Sequence, residues 1–95
     1  MIKVLIERHI ATDLAELYEK AARSTLQVAM QAHGFISGES LKNSADPHHR
    51  IVIATFLSLE DWQRWYISSE RKTIMAAIMP MLTTDEKITI LEHEC

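Results

Sequence analysis

Two tryptophans three residues apart, Trp62 and Trp65, followed by Tyr66, Arg71 and Met75, form the densest concentration of chemically useful side chains in this sequence. On a helix, positions i and i+3 project from nearly the same side, so the two indoles present one large aromatic face. Such a face either packs a core or walls a pocket for an aromatic ligand. In the second case Tyr66 supplies a hydroxyl, Arg71 a charge and Met75 an adaptable apolar surface. A second concentration lies near the N-terminus, where Glu7 and His9 share one face if the segment is a strand. A carboxylate beside an imidazole raises its basicity and orients it as a base. The competing reading leaves His9 at a strand end in water and, if that face meets a partner subunit, makes Glu7 an interface charge.

No metal site is expected. His48 and His49 are adjacent in a turn and point apart on an extended backbone. His93 falls at the opposite end of a sheet from His9, roughly 20 Å away at the usual rise per residue. His33 precedes Gly34 near a helix C-terminus, where a cation favours the helix dipole. Met75, Met79 and Met81 around Pro80 read either as core filler or as a stripe that moulds to an apolar ligand.

The elements that must position these groups follow from periodicity. Ile2 to Ile10 alternates as a strand, with Leu5 as the exception. Thr12 or Asp13 opens a helix, Asp13 with Glu16 having capping-box spacing, and Gly34 sets its end at His33. Phe35 to Asn43 is a second strand, Asn43 to Pro47 a turn, and Arg50 to Leu57 a third strand that is apolar on both faces. Ser58 with Asp61 caps a helix carrying the tryptophans, Ser68 with Ser69 offers a second start directly after it, and Pro80 ends or kinks that second helix. Lys87 to His93 is the last strand. The order gives an α+β, ferredoxin-like βαββαβ fold with a four-stranded antiparallel sheet and both helical segments on one side. The other side carries Leu5, Ile51, Ile53 and Leu57, more apolar surface than a monomer usually exposes, so a second copy is expected to cover it in a homodimer.

Length and composition narrow the classes further. Ninety-five residues form one domain, 1–95. A net charge of −3, with no basic run longer than Arg71-Lys72, removes the electrostatic footprint of a nucleic-acid binder. No apolar run reaches the roughly 20 residues that span a bilayer, and no signal-peptide core is present, so a cytoplasmic protein without membrane contact is expected. The single cysteine, Cys95, is the last residue and reads as an exposed tail thiol rather than a catalytic one.

Gly34-Phe35, Ser37, Ser40-Leu41, the apolar strand Ile51 to Phe56 and the stretch from Ser58 to Lys72 together resemble the antibiotic biosynthesis monooxygenase superfamily of dimeric α/β barrels over nearly the whole chain. The resemblance implies two sheets packed face to face and a pocket in each subunit between helices and sheet. It also implies a monooxygenase that needs no cofactor and acts on a small aromatic or quinone-type compound, with His9, Trp65 and Tyr66 as catalytic candidates and Glu7, Trp62, Arg71 and Met75 contacting substrate. A non-catalytic, ligand-binding or stress-associated dimer on the same scaffold is the alternative. The haem-degrading branch is disfavoured, because the positions of its axial His and strand-one Asn hold Met75 and Glu7.

Overall fold

In the computed structural model, residues 1–94 are described; the tail thiol expected at Cys95 lies outside them. Strand β1 (Ile2–His9) is followed by helix α1 (Ala15–Ala29), strands β2 (Phe35–Lys42) and β3 (His49–Phe56), helices α2 (Leu59–Tyr66) and α3 (Ser69–Ile78), a 3₁₀ turn at Met79–Met81 and strand β4 (Lys87–Glu92). The strands form one antiparallel sheet in the order β2-β3-β1-β4. This is the expected ferredoxin-like architecture.

Strand β1 is amphipathic in the literal period-two sense. Ile2, Val4 and Ile6 are buried under the helices, and Ala54 and Phe56 of β3 join them on that face. Trp62 packs edge-on against Phe56 with ring centroids 5.6 Å apart, and Phe56 takes the edge of Phe35 at 5.5 Å. Beside this cluster a second one gathers Ile10, Tyr18, Ala22, Met75 and Ile78 between α1 and α3. Odd-numbered positions of β1 face the other way. Leu5 pairs with Ile53, Glu7 with Ile51 and His9 with His49, while Leu41 and Leu91 are exposed on the flanking strands. No helix of the described chain covers that face.

The two caps in the tryptophan segment form as the serine spacing requires. Ser58 Oγ accepts the Asp61 N–H at 3.2 Å, and Ser68 Oγ accepts the Arg71 N–H at 3.2 Å. Helix α1 departs from expectation at both ends. Asp13 makes no cap; the chain is pinned by Ala11 N–H to the Met81 carbonyl at 2.9 Å, turns through Leu14, and becomes helical only at Ala15. At the other end α-helix stops at Ala29 rather than His33. Gln31 and Ala32 donate to Val28 and Ala29, tightening the last turn before Gly34 reverses the chain with φ +83°. Leu17 of α1 is 56% exposed, and Thr25 turns its hydroxyl back to the Ala21 carbonyl at 2.8 Å. Among the described residues no helix is long and apolar enough to cross a membrane.

Candidate functional site

Between the helices and the sheet lies an inner cavity of about 40 Å³, walled by Ile6, Arg8, Leu26, Phe56, Trp62, Trp65 and Arg71. Trp62 and Trp65 reach it because the cap at Ser58 fixes the rotation of α2, which buries both indoles. Arg8 reaches it because β1 continues its inward alternation one step past Ile6, into a slot filled by a cation instead of an aliphatic side chain. Its guanidinium is 3% exposed. Nε donates to Glu86 at 3.0 Å, Nη1 to the Tyr18 hydroxyl at 3.1 Å and Nη2 to the Met75 sulfur at 3.7 Å.

Arg71 comes from the first turn of α3. The break at Ile67 and Ser68 turns α3 back so that its guanidinium lies over the Tyr66 ring at 4.8 Å and near Trp62 at 5.9 Å, while Nη2 donates to Glu86 at 2.7 Å. Glu86 therefore serves two guanidiniums at once. Burial opposes its charge, but the hydrogen bond from Arg71 and the combined charge of both arginines outweigh that effect and hold the carboxyl below its ordinary value. Two buried cations share one anion, which leaves a net positive charge beside a cavity lined mainly by apolar and aromatic side chains. Outside Arg71 opens a cleft of about 460 Å³ lined by Tyr66, Lys72, Met75, Met79 and Glu86. A third recess, about 270 Å³, lies on the far side of Trp65 beside His33, Asp61 and Arg64.

The predicted residues thus divide between two places. Trp62, Trp65 and Arg71 wall the inner cavity; Met75 is buried at its margin with its sulfur hydrogen-bonded to Arg8, and Tyr66, 45% exposed, flanks Arg71 in the outer cleft. Glu7 and His9 are on the opposite face of the sheet. There Glu7 meets His49 rather than His9: His49 Nε2 stands 3.2 Å from the Glu7 carboxylate, Asn43 Nδ2 is 3.0 Å from Nδ1, and the His9 ring stacks on His49 at 4.7 Å with 7° between planes. Among the described residues no three His, Cys, Asp or Glu side chains converge as metal ligands.

Sequence reasoning passed over Arg8, Tyr18, His49 and Glu86. A signal existed for Arg8: the inward positions run Ile2, Val4, Ile6, then Arg8, then Ile10. His49 looked like a turn residue, yet it opens β3 opposite His9. Glu86, on the loop before β4, carried no local signal.

Among solved structures, a Nitrosomonas europaea protein assigned as an antibiotic biosynthesis monooxygenase is 15% identical, superposes with a TM-score of 0.89 and covers 98% of each chain. A conserved protein from Methanosarcina mazei is 13% identical with a TM-score of 0.91, over 98% of this chain and 92% of its own. SnoaB, a cofactor-independent oxygenase from Streptomyces nogalater, is 11% identical with a TM-score of 0.88, over 99% and 93%. At these identities the likeness establishes the fold. No curated protein matches the sequence. The family model described as antibiotic biosynthesis monooxygenase matches residues 1–77, which hold β1 through most of α3 and every predicted site residue, and the chain belongs to that family.

Proposed function

We propose that this chain is a cofactor-independent monooxygenase that acts, as a homodimer, on a small aromatic or quinone-type compound bound between helices and sheet. The observation that carries the reading is the unequal charge at the cavity wall, with Arg8 and Arg71 both buried, Arg71 over the Tyr66 ring, and only Glu86 to balance them. Dioxygen reacts directly with an electron-rich carbanion or phenolate. A site that stabilises such an anion away from water lowers the barrier without a bound redox centre. In the oxidation of an activated methylene to a carbonyl, one oxygen atom enters the product and the other leaves as water.

Among the described residues, no histidine and no carboxylate lines the inner cavity. The substrate therefore has to arrive ionised or lose its proton to water, with the guanidiniums lowering its pKa. Trp65 contacts the ring in the inner cavity and Arg71 its charge, with Tyr66 beside Arg71 at the outer mouth. The homodimer reading rests on the uncovered sheet face, where Leu5, Ile51 and Ile53 lie between Leu41 and Leu91. Burying each aliphatic side chain is worth roughly 1.5–3 kcal/mol. On this reading Glu7, His9 and His49 meet the partner subunit.

Oxygen uptake with anthrone- and quinol-type substrates tests the activity: Trp65→Ala and Arg71→Met should each lower turnover at least about tenfold, while His9→Ala acts on assembly. Ile53→Lys should yield monomers by sedimentation. The absence of a base from the cavity favours, as a second reading, a dimer that binds the same ligands without turnover. Saturable binding with no oxygen uptake would establish that alternative.

A further inference from the structure

We infer that the Arg71–Glu86 ion pair is a side-chain gate between outer cleft and inner cavity, opened by a planar aromatic anion whose charged group takes the place of Glu86 on Arg71. The inference rests on the location of the binding site proposed above and adds the ligand's charge and its way in.

The inner cavity, at about 40 Å³, is far below the roughly 300–1,000 Å³ of ordinary ligand pockets. A ring compound fits only if a wall moves. The sheet wall is held by the β1–β3 ladder, and Trp62 is held between Phe56 and Tyr66. Arg71 differs from both. It borders the cavity on one side and the 460 Å³ cleft on the other, and what separates them there is a flexible side chain fastened to a loop carboxylate.

Charge then selects the ligand. Swinging Glu86 outward returns a carboxylate to water at the rim of the cleft and frees the Arg71 side chain to turn away from the cavity, but it strips Arg71 and Arg8 of their counter-ion, an unfavourable state. An incoming carboxylate or phenolate restores the same charge-assisted hydrogen bonds, so anion is exchanged for anion. A neutral ligand leaves two guanidiniums unbalanced. The rest of the cleft suits a flat ring: Tyr66 flanks the guanidinium, and Met75 with Met79 offers polarizable, adaptable surface. The recess beyond Trp65 lacks this selectivity, since its Asp61 already neutralises Arg64 at 3.3 Å.

The test is a titration of the full chain at neutral pH with 2-naphthoate and its uncharged isostere 2-naphthamide, followed by calorimetry in the absence of any turnover assay. The wild type should prefer naphthoate. Glu86→Gln should tighten naphthoate about tenfold, as expected when a competing charged hydrogen-bond acceptor is removed, and leave naphthamide within about twofold. Arg71→Met should abolish the preference. Should Glu86→Gln fail to fold, Glu86→Asp, too short to hold both guanidiniums, must move naphthoate in the same direction. Equal affinities in the wild type, no binding of naphthoate, or a Glu86 variant that tightens both probes alike overturns the gate. Because no oxygen is consumed, a naphthoate preference without oxygenase turnover would leave the gate standing and refute only the proposed reaction.

Discussion

Replacing Gly34 by alanine offers a demanding check on how the site is held. Gly34 has φ +83°, a region in which any residue with a Cβ is strained by roughly 1–2 kcal/mol. A Cβ built there would lie 2.3 Å from Asp61 Cγ and Oδ2 and 2.6 Å from Asp61 Cβ. Asp61 cannot simply swing away. It is buried, accepts the Ser58 hydroxyl at 3.0 Å and Arg64 at 3.3 Å, and belongs to the first turn of α2. The helix itself has to shift, at an overpacking cost of about 1–3 kcal/mol. The two contributions sum to roughly 2–5 kcal/mol, a large part of the total for a domain of this size. Even the lower figure lowers Tm by roughly 8–16 °C. Urea and thermal unfolding, followed by circular dichroism at one fixed protein concentration, measure the loss. Gly38→Ala is the internal control, because its Cβ would meet Leu26 Cδ1, the far end of a side chain, at 2.7 Å and the Phe35 ring at 3.1 Å, with no positive φ. Since α2 carries Trp62 and Trp65, the Gly34 variant should also change tryptophan emission in the folded state. A Gly34→Ala cost below about 1 kcal/mol, or below that of Gly38→Ala, would refute the reasoning.

Two further outcomes follow from contacts described above. Ser68→Ala removes the acceptor for the Arg71 amide and should cost about 1 kcal/mol in urea melts, with Ser68→Asp recovering most of it. Glu86 is ionised more readily in the folded chain than unfolded, so its contribution to stability is present in full above its ordinary pKa of 4.5 and is lost as pH falls through the lowered folded value. The stability difference between wild type and Glu86→Gln should therefore shrink as acid is added below about pH 4.5; a difference that grows with acid would reverse the assignment.

Much of the scaffold was readable because local signals and tertiary demands agree. Strand alternation at Ile2 to Ile6, the serines at 58 and 68 and the proline at 80 each specify an element that the packing then uses. Helix α1 shows where such signals mislead. Asp13 has cap spacing, but hydrogen bonds of Ile10 and Ala11 to distant segments dictate the exit from β1 and delay the helix. Half the site was legible for the same reason: an i, i+3 tryptophan pair declares a shared face. The polar half was not, because Arg8, Arg71 and Glu86 are brought together from strand, helix and loop, and the Glu7–His49 contact spans a strand pair. Pairing across the sheet is invisible to any window of neighbouring residues. Parity could have exposed Arg8 and Arg50, both of which occupy slots on the otherwise apolar inward faces of β1 and β3.

The strand order has a consequence for biogenesis. Of the four strands β1 is translated first, but it occupies the middle of the sheet, and its neighbours are β3 and β4, with Ile2 registered opposite Glu92. During translation its isoleucines and valine wait without a hydrogen-bonded neighbour until residue 49 and beyond are made, and one flank stays open until β4 is made. Closing such distant pairings is slow, and the waiting strand is exposed to aggregation. Nascent chains halted before β4 should depend on holding chaperones more than released chains do.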